Sequence, residues 1–247
     1  MKTALSILAS ILCTAAMAPA AVVTFTGGTV HYDSHSRFTG SFDPETGQPI
    51  MEPVAAGSAI TDGTQTYGAV DFYTEAGFIF DYVGGTGGSI GNYYNNGNDV
   101  IHAHWGGGPC PLCGGQGEMT GIEIRKDGGG TFEFNYFVLT SNTLQPGGEP
   151  TGLEDVHVQA WLNGVQVGSD VILPPEQWGF PALDIFFGTD FDLVDKIVIT
   201  STHTSFSCFG MDSFYIDEAA PIPEPSAGAL LMLGIGGLIA LRRTRRS

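Results

Sequence analysis

The chain has 247 residues, 43% of them apolar and 36 of them glycine, enough for one sizeable all-β domain once the end segments are set aside and too apolar for gross disorder. Its formal net charge is -17, and of the nine basic residues only Arg37, Arg125, Lys126 and Lys196 lie between the two ends. So anionic a body repels phosphate backbones, because nucleic-acid affinity is built from Lys and Arg displacing counterions; nucleic acid is excluded as a partner, while solubility and weak capture of divalent cations are favoured.

At the start of the chain, Lys2 precedes an uncharged apolar run over 4–17, followed by Ala18-Pro19-Ala20-Ala21, with Ala at both positions that signal peptidase favours. The run is too short to span a bilayer and ends in a processing site rather than a helix cap. Residues 1–20 are therefore predicted to be a secretory signal peptide cut after Ala20. Cys13 does not make it a lipoprotein leader, since the bulky Leu12 stands where a small residue would be needed.

From Val22 to Asp217 short alternating runs recur between Gly, Asn, Asp and Pro clusters, with no convincing helical periodicity. Strands are predicted at 22–26, 78–83, 121–125, 131–140, 155–162, 165–167, 183–187, 196–200 and 209–216. In 131–140, Phe132, Phe134, Tyr136 and Val138 are expected on one face and Glu133, Asn135, Phe137 and Leu139 on the other. In 155–162, Val156, Val158, Ala160 and Leu162 face inward and Asp155, His157, Gln159 and Trp161 outward. Asn163-Gly164 then supplies the two positive-φ residues of a type I′ turn. The segments 38–68 and 84–117, rich in Gly, Asn and Pro, are expected as long loops over the domain. Many short strands with turn signals predict an antiparallel β-sandwich over 21–217, jelly-roll-like in topology.

A linker over 218–222 leads to Pro223-Glu224-Pro225, an uncharged apolar run over 227–241, and the cluster Arg242, Arg243, Arg245 and Arg246. At about 1.5 Å per residue the run falls short of a bilayer core of about 30 Å, and it spans with snorkelling arginines and local thinning. The arginines stay cytoplasmic, which puts Pro223, Glu224 and Pro225 on the exported side, in agreement with the leader.

These three ordered elements closely resemble the PEP-CTERM sorting signal of bacteria that make extracellular polysaccharide. The resemblance covers about the last 25 residues. It implies recognition of Pro223, Glu224 and Pro225 by an exosortase, a membrane-embedded transpeptidase-like enzyme, with the apolar helix as a temporary membrane anchor. It further implies a Gram-negative cell, export through the inner membrane, and a final place at the cell surface or outside. A permanent tail anchor is the alternative. Tyr73-Thr74-Glu75-Ala76-Gly77-Phe78, Lys126-Asp127-Gly128-Gly129-Gly130-Thr131-Phe132 and Phe209-Gly210-Met211-Asp212-Ser213-Phe214 resemble landmarks of uncharacterised PEP-CTERM ectodomains with jelly-roll, carbohydrate-module-like folds. That resemblance implies a fold more than an activity.

Candidate chemistry is sparse. His102 and His104 would share a face of a strand and, with Cys110 and Cys113, offer the four ligands of a tetrahedral zinc site. An oxidising exterior instead favours a disulfide among Cys110, Cys113 and Cys208, local or to Cys208, with one cysteine left over; unpaired thiols stay open. By resemblance Asp212 would be a calcium ligand, but Val23-Thr24-Phe25-Thr26 lacks the acidic residue that completes such a site, so capping of nearby backbone N–H groups is its default role. No cofactor is expected, with calcium as the alternative. Tyr93, Tyr94, Asn95, Asn96, Trp105, Trp161 and Trp178 are of the type that stacks on sugars and bonds their hydroxyls, or that simply fills loops and cores.

The reading that follows is a non-catalytic surface or matrix protein that meets signal peptidase and exosortase during export and extracellular polysaccharide afterwards. A secreted glycan-active hydrolase, needing two carboxylates across a cleft, and a metal-stabilised module are the rivals.

Overall fold

The structure is a computed structural model. It describes residues 20–32, 36–47, 49–53, 55, 57–61, 66–84, 88–92, 99–103, 105, 119–144, 149–177, 182–202 and 208–221. The leader up to residue 19 and the segment from 222 onward, including Pro223, Glu224, Pro225 and Arg242, Arg243, Arg245 and Arg246, lie outside the described residues. Among the described residues no helix is long and apolar enough to cross a membrane.

In chain order the strands are β1 (Ala21–Val23), β2 (Thr29–Tyr32), β3 (Ser36–Phe42), β4 (Pro49–Pro53), β5 (Ser58–Thr61), β6 (Thr66–Val70), β7 (Phe72–Glu75), β8 (Phe78–Val83) and β9 (Gly88–Asn92). Then follow β10 (Asp99–Ala103), β11 (Gly121–Lys126), β12 (Phe134–Thr143), β13 (Val156–Leu162), β14 (Val165–Ile172), β15 (Leu183–Phe186), β16 (Lys196–Ser201) and β17 (Cys208–Ile216), with a 3-10 turn at Thr189–Phe191. They form two antiparallel sheets. The larger runs β15-β12-β17-β10-β9-β6-β3-β4, with β1 also paired to β17, and the smaller runs β14-β13-β16-β11-β8-β7-β2-β5. The described residues are all-β, as their turn-punctuated alternation predicts.

One hydrophobic core joins the inner faces of both sheets. Ile122, Ile124, Val156, Val158, Ala160, Ile197 and Ile199 come from the smaller sheet and Ile101, Ala103, Phe137, Leu139, Phe209 and Met211 from the larger. Phe80 of β8 meets Phe214 of β17 edge-on at 5.1 Å between ring centres, which ties the sheets directly. Phe25 packs on Tyr73, Phe80 and Phe214 at 5.4, 5.2 and 5.5 Å. Its backbone sits at φ 57, a region an aromatic residue rarely adopts. The Glu75 carboxylate accepts the Thr24 and Phe25 N–H groups and the Tyr73 hydroxyl, and that hydroxyl accepts Gly28 N–H. A Cβ at Gly28 would collide with the Tyr73 hydroxyl and ring, so glycine is required there.

The β13–β14 hairpin turns through Asn163 at φ 52 and Gly164 at φ 76, both positive as a type I′ turn demands. β14 continues to Ile172, five residues past the expected 165–167 return. Two expectations are corrected. The glycine-rich stretches 38–68 and 84–117 are not simply loops: β4, β5, β9, β10 and most of β3 and β6 lie in them and extend both sheets. The faces of β12 are also redistributed, because register shifts near Tyr136, Val138 and Ser141 break strict alternation. Phe134, Phe137 and Leu139 enter the core, while Tyr136 and Val138 stand on the other face. The far end of the domain is fastened by Asp217, whose carboxylate accepts Glu133 N–H and pairs with Lys126 at 2.7 Å. Asn135 holds the Glu218 carbonyl just beyond it.

Candidate functional site on the outward face around Trp161

Strand alternation that buries Val156, Val158 and Ala160 turns His157, Gln159 and Trp161 outward from the smaller sheet. Registration then builds rows across the strands. One row is Gln166, Trp161 and Lys196 on β14, β13 and β16. A second crosses six strands as Gln159, Val198, Glu123, Asp81, Phe72 and His31. The face is aromatic at both ends: Trp161 on one side, and on the other His31 stacked on Phe72 at 4.0 Å and 10°.

Trp161 is held rather than loose. Its Nε1–H donates to Gln159 Oε1 at 3.3 Å, and the Lys196 ammonium lies 5.6 Å from its ring centre. Lys196 in turn donates to Glu123 at 2.9 Å, and Arg125 pairs with Asp81 at 3.3 Å. On the β14 side Asp170 gathers the amides: Gln159 Nε2 donates to Oδ2 at 3.1 Å and Gln166 Nε2 to Oδ1 at 2.5 Å. His157 bridges the carboxylates of Asp170 and Asp155 through its two ring nitrogens, at 3.1 and 2.5 Å, and Thr202 donates its hydroxyl to Asp155.

The hydrogen bond from Gln159, then that from Gln166 and the charge and hydrogen bond of His157, outweigh burial and hold the Asp170 carboxyl below the usual carboxylate range. At the far end, burial pushes His31 below its ordinary value against the pull of Asp71. Chemically the face offers a fixed indole for the CH faces of a sugar ring, and amides and carboxylates for its hydroxyls.

The other residues singled out by sequence fall elsewhere. Trp105 is 1% exposed in the core, 5.5 Å from Phe209, which corrects its candidacy as a surface glycan contact: the side chain alternates with the inward Ile101 and Ala103. His102 lies on β10 between those two and is buried away from the core at 3% exposure. Asp212 is 2% exposed and accepts Ser213 N–H through Oδ1 at 2.6 Å. Cys208 begins β17 opposite Thr143. Tyr93, Tyr94, Asn95, Asn96, His104, Cys110, Cys113 and Trp178 lie outside the described residues. Among the described residues no group of three or more His, Cys, Asp or Glu side chains could hold a metal ion.

Sequence reading picked Trp161, Gln159 and His157 as outward but missed Asp170, Gln166, Lys196, Glu123 and the His31–Phe72 stack. Asp170 and Gln166 share a face of β14; Gln166 lies within the expected 165–167 strand, and Asp170 joins it only when β14 is continued past residue 167. No family model matches the chain, and no curated protein and no solved structure matches it.

Proposed function

We propose that the chain is a non-catalytic exported protein of the cell surface or extracellular matrix, sorted by an exosortase, that binds extracellular polysaccharide on the outward face around Trp161. The observation that carries the binding reading is the fixed indole: Trp161, restrained by Gln159 and Lys196, beside amides organised by Asp170. Such preorganisation lowers the ordering cost of a weak, hydroxyl-rich ligand. The carboxylates of this face are engaged with amides, a ring and cations, which suits hydrogen bonding to hydroxyls better than proton transfer across a cleft.

The ends of the chain support the sorting part. The leader, Pro223-Glu224-Pro225, the apolar run and the arginine cluster form one export-and-release pattern. The strand order supports a sandwich of jelly-roll type, since from β10 to β17 the chain changes sheet at every step except the β13–β14 hairpin.

Two measurements test the parts separately. Mass spectrometry of the mature protein should find a new N-terminus at Ala21 and a C-terminus near Pro223–Pro225; an intact arginine tail on the bulk of the protein would end the sorting reading. Pull-down on polysaccharide from the producing organism should retain wild type and lose most of Trp161→Ala.

A further inference from the structure

We propose that His157 is a positioning residue for the Trp161 face and makes it proton-sensitive: its doubly protonated ring, held between Asp155 and Asp170, keeps the indole in place, and loss of one ring proton releases it. For its role in binding this rests on the glycan-binding reading of that face, whereas the relay itself is a property of the fold.

Hydrogen bonds run without a break from the end of β16 to the indole. The Thr202 hydroxyl donates to one oxygen of Asp155, and the other oxygen faces His157 Nε2 at 2.5 Å. His157 Nδ1 faces Asp170 Oδ2 at 3.1 Å, and that same oxygen accepts Gln159 Nε2–H at 3.1 Å. Gln159 Oε1 then accepts the Trp161 Nε1–H at 3.3 Å. A glutamine amide has one donor end and one acceptor end, so the bond to Asp170 is what turns the Gln159 carbonyl towards the indole. His157, Gln159 and Trp161 stand two residues apart on one face of β13, which lets the relay follow the strand.

The ring between two carboxylates makes the relay depend on a proton. A neutral imidazole carries one N–H and one lone pair, so it donates to only one of them; the imidazolium donates to both. The groups facing the ring are Asp155 just before β13, Asp170 and Ile172 on β14, and Thr200 on β16, and both charged ones are anions. Lys196 and Arg125, the cations of this face, are engaged by Glu123 and Asp81. The Gln159 hydrogen bond first, then Gln166 and the charge of His157, hold Asp170 below the usual carboxylate range, so it stays an anion between about pH 5 and 8, where histidines change charge. Side-chain exposures of 22% for His157, 32% for Asp155 and 30% for Asp170 leave the ring open to exchange protons with water. The closer contact, to Asp155, retains its proton on deprotonation, so the lone pair arises at Nδ1, against Asp170 Oδ2. Asp170 then moves off the ring, and Gln159 loses the partner that orients it.

The test follows the Trp161 indole N–H signal of the full secreted protein by NMR from about pH 5 to about pH 8, the signal being assigned by its loss in Trp161→Phe. It should shift in one step that shares its midpoint with the His157 ring signals. His157→Gln should abolish the step, and Asp155→Asn should keep it but move it to lower pH, because an anion that favours the imidazolium is gone; the remaining backbone signals report that each variant is folded. Binding to the producing organism's polysaccharide, followed in parallel, should weaken about two- to tenfold across the step in wild type, the cost of ordering one side chain, and stay level in His157→Gln. An indole signal that is flat in wild type, or that steps equally in His157→Gln, would overturn the relay. A step accompanied by pH-independent binding would overturn its role in the site, and a step with no polysaccharide bound at any pH would sink the glycan reading while leaving the relay standing.

Discussion

At the scale of single residues, Trp161 carries the functional argument because its ring is both outward and fixed. Trp161→Ala should weaken polysaccharide binding about five- to tenfold, the worth of one aromatic contact, without lowering the melting temperature measurably. Gly28 carries a structural argument. Replacing it with Ala forces a Cβ into the Tyr73 hydroxyl that anchors the turn after β1, and should cost about 1–3 kcal/mol in urea unfolding. Acid should act through several groups with the same sign, His31, Asp170 and Glu154 among them. His31, held below its ordinary value by burial, gains a proton more readily when unfolded, so stability falls as pH drops below about 6.5. Asp170, held below the carboxylate range, adds a contribution present at neutral pH and lost as pH falls below about 3.9. Denaturant titrations across pH should show both losses, and Asp170→Asn should remove the Asp170 part of the second, leaving that of Glu154.

At the scale of elements, the β13–β14 hairpin shows what local chemistry settles. Asn163 and Gly164 both take positive φ, so Gly164→Val should cost about 1–2 kcal/mol and loosen the strand that carries Asp170. The strands richest in branched and aromatic residues, β8, β11, β13, β16 and β17, were legible for the same reason: alternation tracks burial directly. The strands β3 to β6 and β9 were not, because Gly, Pro and Ser dilute the alternation and their pairing is decided by neighbours distant in sequence. In β12 the periodicity itself misleads. Its register shifts send Phe137 inward and Tyr136 outward, information held in the pairing with β17 and not in β12 alone. The site was half legible on similar grounds. Trp161, Gln159 and His157 follow from the β13 pattern, whereas Lys196, Glu123 and Asp81 join them only through strand registration. Of the two roles open to Trp105, glycan contact and core filling, the structure shows the second: it bridges to Met119 just beyond β10 and is buried against Phe209.

At the scale of the molecule, a single aromatic-rich core fastens the two sheets and leaves the outward face around Trp161 for contact. Phe80→Ala, at the meeting of β8, Phe25 and Phe214, should cost about 3–5 kcal/mol and lower the unfolding midpoint as a single transition. So anionic a body, which repels phosphate backbones, makes any polysaccharide contact one of rings and hydroxyls rather than of opposite charges. Binding should therefore change little between low and high salt, unlike attraction between exposed charges. The most direct test is affinity electrophoresis of the secreted wild type and Trp161→Ala through gels containing the producing organism's polysaccharide, run at two salt concentrations. Retardation of wild type at both, and its loss in the variant, is the expected result; equal migration of the two proteins, or retardation that vanishes with salt, would contradict it.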